Sequence, residues 1–145
     1  MLKSICLAGV LLAAASPALA QSCGTAPLAP AIPGASELSG KAPDDAHKFV
    51  LDVLKTVKAY QSSLATYRNC LKAQENVDLA ALNDAKATGD KTKIAAAQEK
   101  AQASIDAQNK TIDSEQQVAG DYNKLHEAYC NMGSGLAGCA PPAAH

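Results

Sequence analysis

Residues 46–71 read AHKFVLDVLKTVKAYQSSLATYRNCL, and apolar side chains recur along this stretch at intervals of four and three residues. The repeating positions are Ala46, Val50, Val53, Val57, Tyr60, Leu64, Tyr67 and Leu71. Such a repeat places these side chains along one face of a helix, as in the seam of a coiled coil. The stretch therefore predicts a long helix that packs against a second helix.

A second ladder of the same kind follows the sequence Thr88-Gly89-Asp90, which is typical of a helix break. We assign its seam to Ile94, Ala97, Ala101, Ile105, Ile112, Ala119, Tyr122, Leu125 and Tyr129. Two helices joined by a short turn pack antiparallel, and facing residues here would have numbers that sum to about 179. The predicted fold is all-α: a long, coiled-coil-like antiparallel two-helix hairpin over residues 43–132, with its turn near 88–90.

Local signals place the ends of both helices. Pro43 suits the first helical position, because proline lacks the N–H that this position leaves unbonded. The first helix is expected to run from there to about Ala87. Asp90 is the expected N-cap of the second helix, since its carboxylate accepts hydrogen bonds from a first turn. That helix is expected to reach about Met132, with Gly133 as its C-cap.

Residues 1–20 have the features of a secretory signal peptide: a positive charge, an apolar stretch at 5–15 and the cleavage motif Ala18-Leu19-Ala20. Cleavage after Ala20 would deliver the chain to the periplasm or the exterior. No segment of the mature chain is apolar enough to cross a membrane. The alternative is a lipoprotein anchored at Cys23, although the residues before this cysteine fit a lipoprotein signal poorly.

The segments outside the hairpin differ from it in composition. Residues 21–42 are rich in proline and alanine, which predicts an extended, semi-rigid strap. Because Leu28 and Ile32 are apolar, we expect the strap to lie against the hairpin, with a short helical turn at 35–39. Residues 133–145 contain several glycines and prolines and are expected to form an irregular tail.

Removal of residues 1–20 leaves four cysteines: Cys23, Cys70, Cys130 and Cys139. An even number in a small exported domain indicates two disulfides. In the hairpin register Cys70 and Cys130 are about 30 Å apart along the axis, too far to bond to each other. The favoured pairs are therefore Cys23–Cys70, which the strap can reach, and Cys130–Cys139, which closes a short glycine-containing loop.

The sequence offers little support for a chemical site. The histidines are scattered and no C-x-x-C motif is present, so neither a metal nor a cofactor is expected. His47 and His126 are offset by about two helical turns in the predicted register, too far to share a metal ion. No nucleophile motif is present, and a hairpin has little concavity to shelter a reaction. The protein is therefore expected not to be an enzyme, and we assign no catalytic residue.

Charge and aromatic content narrow the choice of partner. The formal net charge is −1, and no basic patch with interleaved aromatic residues is present, so nucleic acid is not expected as a partner. Tyr60 and Tyr67 are seven residues apart, as are Tyr122 and Tyr129. This spacing favours packing in the core over a ligand-binding aromatic cluster.

The predicted apolar face widens at the end of the hairpin away from its turn. The residues of this wide end are Phe49, Leu51, Leu54, Val118 and Leu125, and we take them as candidate interaction residues. A face broader than a two-helix seam needs a third element over it, and we favour the strap over a second subunit. If the protein self-associates, the wide end is the expected interface.

The turn is the second candidate contact surface. The tip, residues 85–93, contains Lys86, Lys91 and Lys93. The seam near the tip consists mainly of alanine, for example Ala85 and Ala97, and therefore buries little surface. We expect this half of the hairpin to be the more mobile one.

Two short motifs resemble a known group of proteins. They are Pro30-Ala31-Ile32-Pro33-Gly34-Ala35 and, further on, Ala59-Tyr60 with Tyr67-Arg68-Asn69-Cys70-Leu71. The chain resembles small exported helical proteins of proteobacteria that have a proline-rich strap and a Tyr-x-x-Cys helix. It departs from that group in having Gly-Ala where Asp-Gly is expected. The resemblance implies an envelope location and a helical form, and it carries no function.

Taken together, these features favour a non-catalytic periplasmic protein that presents a helical hairpin to an unknown envelope protein or to another copy of itself. Two alternatives remain. One is a holdase-type chaperone, against which the nearly balanced charge counts mildly. The other is a carrier of a small molecule or a metal.

Overall fold

The computed structural model of the protein describes residues 23–139. Two long helices make up most of this part: α1 spans Pro43–Thr88 and α2 spans Lys91–Cys130. A short 3-10 helix, Ala35–Leu38, precedes them, and residues 23–139 contain no β-strand. The two long helices pack against each other, which confirms the predicted all-α hairpin.

Some predictions concern residues outside this range. The signal peptide with its cleavage after Ala20, and residues 140–145 of the tail, lie outside the described residues. Between residues 23 and 139, no helix is both long enough and apolar enough to cross a membrane.

α1 begins at Pro43, as predicted, and ends within one residue of the predicted position. Gly89 follows it with a φ of 71°, in the left-handed region that glycine adopts without steric cost. Its N–H donates a 3.2 Å hydrogen bond to the carbonyl of Lys86, which closes the last turn. This C-cap reverses the chain, so that α2 can start two residues later.

α2 has the predicted N-cap but a different end. The carboxylate of Asp90 accepts hydrogen bonds from the N–H groups of Thr92 and Lys93, each 3.1 Å long. The predicted end at Met132 with a Gly133 cap is wrong: α2 ends at Cys130, and its C-cap is Asn131 in a right-handed conformation. The chain leaves the helix earlier because it returns to bond Cys139 to Cys130.

Hydrogen bonds between the helices define the antiparallel register. Arg68 of α1 pairs with Thr111 of α2, and Glu75 pairs with Gln108. The numbers of these pairs agree with the predicted sum of about 179, within the reach of the side chains. The register predicted from the two ladders is therefore confirmed.

The predicted seam of α2 is partly wrong. Ile105 and Ile112 are 36% and 44% exposed, whereas Ser104 and Thr111 are buried in their place. The next buried residue after Ala101 is Ser104, three positions further on, and Thr111 follows seven positions later. Because both side chains are polar, the spacing of apolar residues does not predict their burial. Val118 likewise replaces Ala119 as the buried residue.

The hydrophobic core lies at the end of the hairpin away from the tip. Its buried residues are Leu38, Ala46, Val50, Val53, Val57, Tyr60, Leu64, Val118, Leu125 and Tyr129. The strap contributes Leu38 and, partly buried, Ile32. Leu28, which we expected to lie against the hairpin, is instead 93% exposed, whereas the neighbouring Ala26 and Pro27 line a groove against the helices.

The seam toward the tip is narrower. Its buried residues are Asp78, Leu82, Ala85, Ala97 and Ala101, of which three are alanines. Alanine side chains bury little surface, so this half of the hairpin gains less from the hydrophobic effect than the other half.

Both favoured disulfides are present. Cys23 is bonded to Cys70 and Cys130 to Cys139, each pair with Cα atoms 5.6 Å apart. The first bond ties the start of the strap to the middle of α1, and the second closes a loop at the end of α2. Such bonds are compatible with an oxidising extracellular or periplasmic location.

Candidate functional site

The strap lies along one flank of the hairpin. Residues 31–33 line a cleft of about 220 Å³ together with Phe49 and Thr56 of α1. Further along, Cys70 holds the start of the strap. Phe49, Thr56 and Cys70 are separated by multiples of seven residues, which places them on one side of α1.

The opposite flank is not covered by the strap, and we call it the open face. On α1 it comprises Leu54, Arg68, Glu75 and Leu82, again separated by multiples of seven, with Leu51 and Leu79 beside them. On α2 it includes Ile105, which lines a shallow groove with Leu82, and Ile112 one heptad later.

The open face carries most of the large apolar side chains that the two helices expose. Leu51 is 41% exposed and Leu79 39%, and the two isoleucines of α2 are exposed to a similar degree. Exposed apolar side chains that share one face and are rimmed by polar residues are typical of a protein-binding surface.

The structure separates the predicted residues of the wide end into two groups. Val118 and Leu125 are 4% and 1% exposed, so their assignment as interaction residues is wrong: they belong to the core. Phe49 is half-buried against the core, and the ammonium group of Lys41 lies 5.0 Å from its ring centroid. Leu51 is exposed, and Leu54, like Phe49, is half-buried.

A polar layer lies between the hydrophobic core and the alanine-rich seam toward the tip. The apolar repeat in the sequence did not predict it. Arg68 donates from Nε to the hydroxyl of Thr111 at 2.7 Å and from Nη1 to Glu115 at 2.6 Å. Its Nη2 is buried and has no hydrogen-bond partner among the described residues. Arg68 directly follows Tyr67 of the apolar ladder, and this position next to the seam is the only sequence signal for its role.

A groove near the core lies between the strap and the helices. It has a volume of about 480 Å³ and is open to solvent. Tyr60, Leu64 and Tyr67 form one wall, alanines of α2 form another, and Ala26 and Pro27 of the strap border it. Its polar groups include the hydroxyls of Tyr60 and Ser114, which are hydrogen-bonded to each other at 2.7 Å.

The lysines of the tip behave as ordinary surface cations. Lys86, Lys91 and Lys93 are exposed, and Lys93 forms a 3.6 Å ion pair with Asp90. A groove of about 410 Å³ beside them is lined by alanines with Asp78, Asp84, Lys93 and Lys100. Charges of both signs line it, so it does not favour a ligand of either sign.

Aromatic and imidazole rings cluster at the wide end. The hydroxyl of Tyr129 donates to the carbonyl of Ala137 at 3.3 Å, and it lies within hydrogen-bond distance, 3.1 Å, of Nδ1 of His47. The ring of His126 lies 6.2 Å from that of Tyr129, measured between centroids. Both histidines therefore flank one tyrosine. Partial burial raises the pKa of the neighbouring Tyr122 phenol.

The structure brings together one group of metal-ligating residue types that the sequence did not predict. Donor atoms of His126, Cys130 and Cys139 lie within 4.8 Å of one another. The two sulfurs are bonded to each other, and a disulfide provides no thiolate for a metal. Sequence spacing missed this group because Cys139 approaches His126 only through the loop that follows α2.

Comparisons with protein-family models, with curated proteins and with solved structures found no match to this chain. The resemblance to exported helical proteins therefore stays a prediction.

Proposed function

We propose that this is a non-catalytic protein of the bacterial envelope that binds another protein through the open face of its hairpin. The observation that carries the proposal is the stripe of exposed apolar side chains on that face, with Leu51 and Leu79 on α1 and Ile105 and Ile112 on α2. Burying such a stripe against a partner is favourable by about 25 cal/mol per Å² of apolar surface.

The framework beneath the open face suits this role. The polar layer of Arg68 and Thr111 holds the two helices in one register, and the Cys23–Cys70 bond fastens the strap to the flank opposite the open face. The open face is therefore presented in a fixed geometry. A preorganised surface loses less conformational entropy on binding than a flexible one.

The envelope location is part of the proposal. Two disulfides in a small domain, together with the signal-like residues 1–20, support export to an oxidising compartment. The bond from Cys23 to Cys70 uses the sulfur that a lipid anchor would modify. This observation favours a periplasmic or secreted protein over a lipoprotein.

Site-specific photo-crosslinking in intact cells tests the proposal. A photoreactive amino acid at Leu51 or Leu79 should crosslink to a protein, whereas the same amino acid at Ser62, which is exposed on α1 away from the open face, should not. Equal crosslinking at all three positions, or none at Leu51 and Leu79, would contradict the proposal. Suppression of aggregation of an unfolded client by the purified protein would instead favour the holdase alternative.

A second candidate function is supported by the groove between the strap and the helices. Its tyrosines and alanines, and its volume of about 480 Å³, suit a small apolar molecule with a hydroxyl or amide group. A panel of such compounds should then raise the melting temperature of the protein, and Ala107→Trp, which fills the groove, should abolish the effect. Unchanged melting across the panel would exclude this candidate.

A further inference from the structure

α2 carries a second ladder beside its buried one. The ladder consists of Gln98, Gln102, Ile105, Asn109, Ile112, Gln116, Ala119, Asn123 and His126, which follow one another at alternating intervals of four and three residues. Each of its members directly follows a residue that is buried or half-buried. Seven of them are exposed, and Ala119 and His126 are half-buried. The second ladder therefore lies beside the seam with α1, on the side of α2 where Ile105 and Leu82 line one groove.

The second ladder contains no Asp, Glu, Lys or Arg. All charged side chains of α2 between residues 95 and 126 lie outside it: Glu99, Lys100, Asp106, Lys110, Asp113, Glu115, Asp121 and Lys124. Charged residues are depleted at the centre of protein interfaces, because burying a charge without a partner is costly. The distribution of charge therefore marks this ladder as a surface that becomes covered.

At the centre of the second ladder, the order of residue types is the same from either end. Its order is Gln102, Ile105, Asn109, Ile112, Gln116, with Asn109 in the middle. A two-fold symmetric interface requires a surface that is complementary to itself. If two α2 helices cross antiparallel at Asn109, the two asparagines face each other and each Gln102 is level with a Gln116. Each Ile105 then lies about one residue, or about 1.5 Å along the axis, from the level of an Ile112.

We propose that two copies of this chain pair antiparallel through the second ladder of α2, with the two-fold axis at Asn109. Apolar side chains then meet apolar ones, and amides meet amides that can both donate and accept hydrogen bonds. Moving one helix along the other by one step of the ladder would place an asparagine against an isoleucine, so the central asparagine pair opposes sliding. The inference rests on the proposed function in treating the open face as a protein-binding surface, and it adds the identity of the partner.

Sedimentation equilibrium of the purified, disulfide-bonded protein tests the pairing. The protein should have the mass of a dimer, and Ile105→Asp with Ile112→Asp should raise the dissociation constant at least about tenfold. Helix content by circular dichroism should stay unchanged, because both side chains are exposed in one copy. Val77→Asp is the matched control: Val77 is 57% exposed but lies outside the second ladder, so this variant should remain dimeric.

Single cysteines test the symmetry. Asn109→Cys should form an intermolecular disulfide with its counterpart under mild oxidation, because this position lies on the axis. Gln116→Cys should not, because its counterpart would be about 20 Å away, but it should crosslink when mixed with Gln102→Cys. Equal crosslinking of Asn109→Cys and Gln116→Cys alone would overturn the proposed register.

The failures of the two proposals can be told apart. A monomer at high protein concentration overturns the pairing, and crosslinking of Leu51 to another protein would still support the proposed function. Dissociation of a dimer by Leu54→Asp, but not by the two isoleucine substitutions, would place the contact at the wide end and also overturn the pairing.

Discussion

Arg68 of α1 donates a hydrogen bond from Nε to the hydroxyl of Thr111 on α2, and the two atoms are 2.7 Å apart. The same hydroxyl donates to the carbonyl of Gln108 at 2.7 Å, so Thr111 is held from both sides. Arg68 also pairs with Glu115, and both side chains are little more than a quarter exposed. The bridge of Arg68, Thr111 and Glu115 is therefore polar, and it lies between the hydrophobic core and the alanine-rich seam. Sliding one helix along the other would break these hydrogen bonds.

The polar bridge predicts that Arg68→Met destabilises the protein. The substitution keeps most of the side-chain volume but leaves Thr111 and Glu115 without their donor, which costs about 1–3 kcal/mol for partly buried groups. Urea denaturation should show a lower midpoint. Lys58→Met, at an exposed cation of the same helix, is the control and should change the free energy of unfolding by less than about 0.5 kcal/mol. Similar losses in both variants would exclude a special role for Arg68.

The two disulfides should contribute unequally to stability. Cys23–Cys70 spans 47 residues and Cys130–Cys139 spans 9, and a longer closed loop removes more entropy from the unfolded chain. Replacing the first pair by serines should cost about 4 kcal/mol and replacing the second about 2.6 kcal/mol. Urea denaturation of the two double variants measures the difference. A larger loss from the second pair would show that its local contacts, rather than loop closure, determine its effect.

Much of this architecture could be predicted from the sequence, because the repeat on α1 is almost entirely apolar. The 3.5-residue spacing of Val50, Val57 and Leu64 identifies the buried face of α1. The spacing of the cysteines along two antiparallel rods then restricts the disulfide pairing. Helix starts were also predictable, since Pro43 and Asp90 act through local backbone chemistry.

The wrongly predicted features, the seam of α2 and its end, depend on interactions that the spacing of apolar residues does not indicate. Ser104 and Thr111 are buried because Arg68 and the alanine-rich seam accept small polar groups there, so the apolar Ile105 and Ile112 were wrongly assigned to the core. The end of α2 was misplaced because a disulfide, rather than a glycine cap, ends the helix. In both cases contacts between distant parts of the chain outweighed the local pattern.

Hydrogen exchange should divide the hairpin into two halves. Amides near Val53, Val57 and Leu125 are in turns anchored by the hydrophobic core and should exchange slowly. Amides between Leu82 and Ala101 have the same helical hydrogen bonds, but their seam is mainly alanine, so local opening there exposes less apolar surface and costs less free energy. Mass spectrometry of exchanged fragments can measure the contrast. Equal protection in both halves would show that the hairpin opens only as one cooperative unit.

Acid should weaken the N-terminus of α2 through Asp90. The backbone hydrogen bond from Lys93 lowers the pKa of this carboxyl below 3.8, its ordinary value. A group whose pKa is lower in the folded state adds stability above the unfolded pKa and loses it as the pH falls through the folded pKa. Asp90→Asn keeps a capping side chain but cannot titrate, so the stability difference between wild type and variant should be constant from pH 7 to about 5 and shrink below about pH 4. Thermal melts across this range measure the difference, and a difference independent of pH would mean that the ionised form of Asp90 contributes nothing beyond its hydrogen-bonding oxygen.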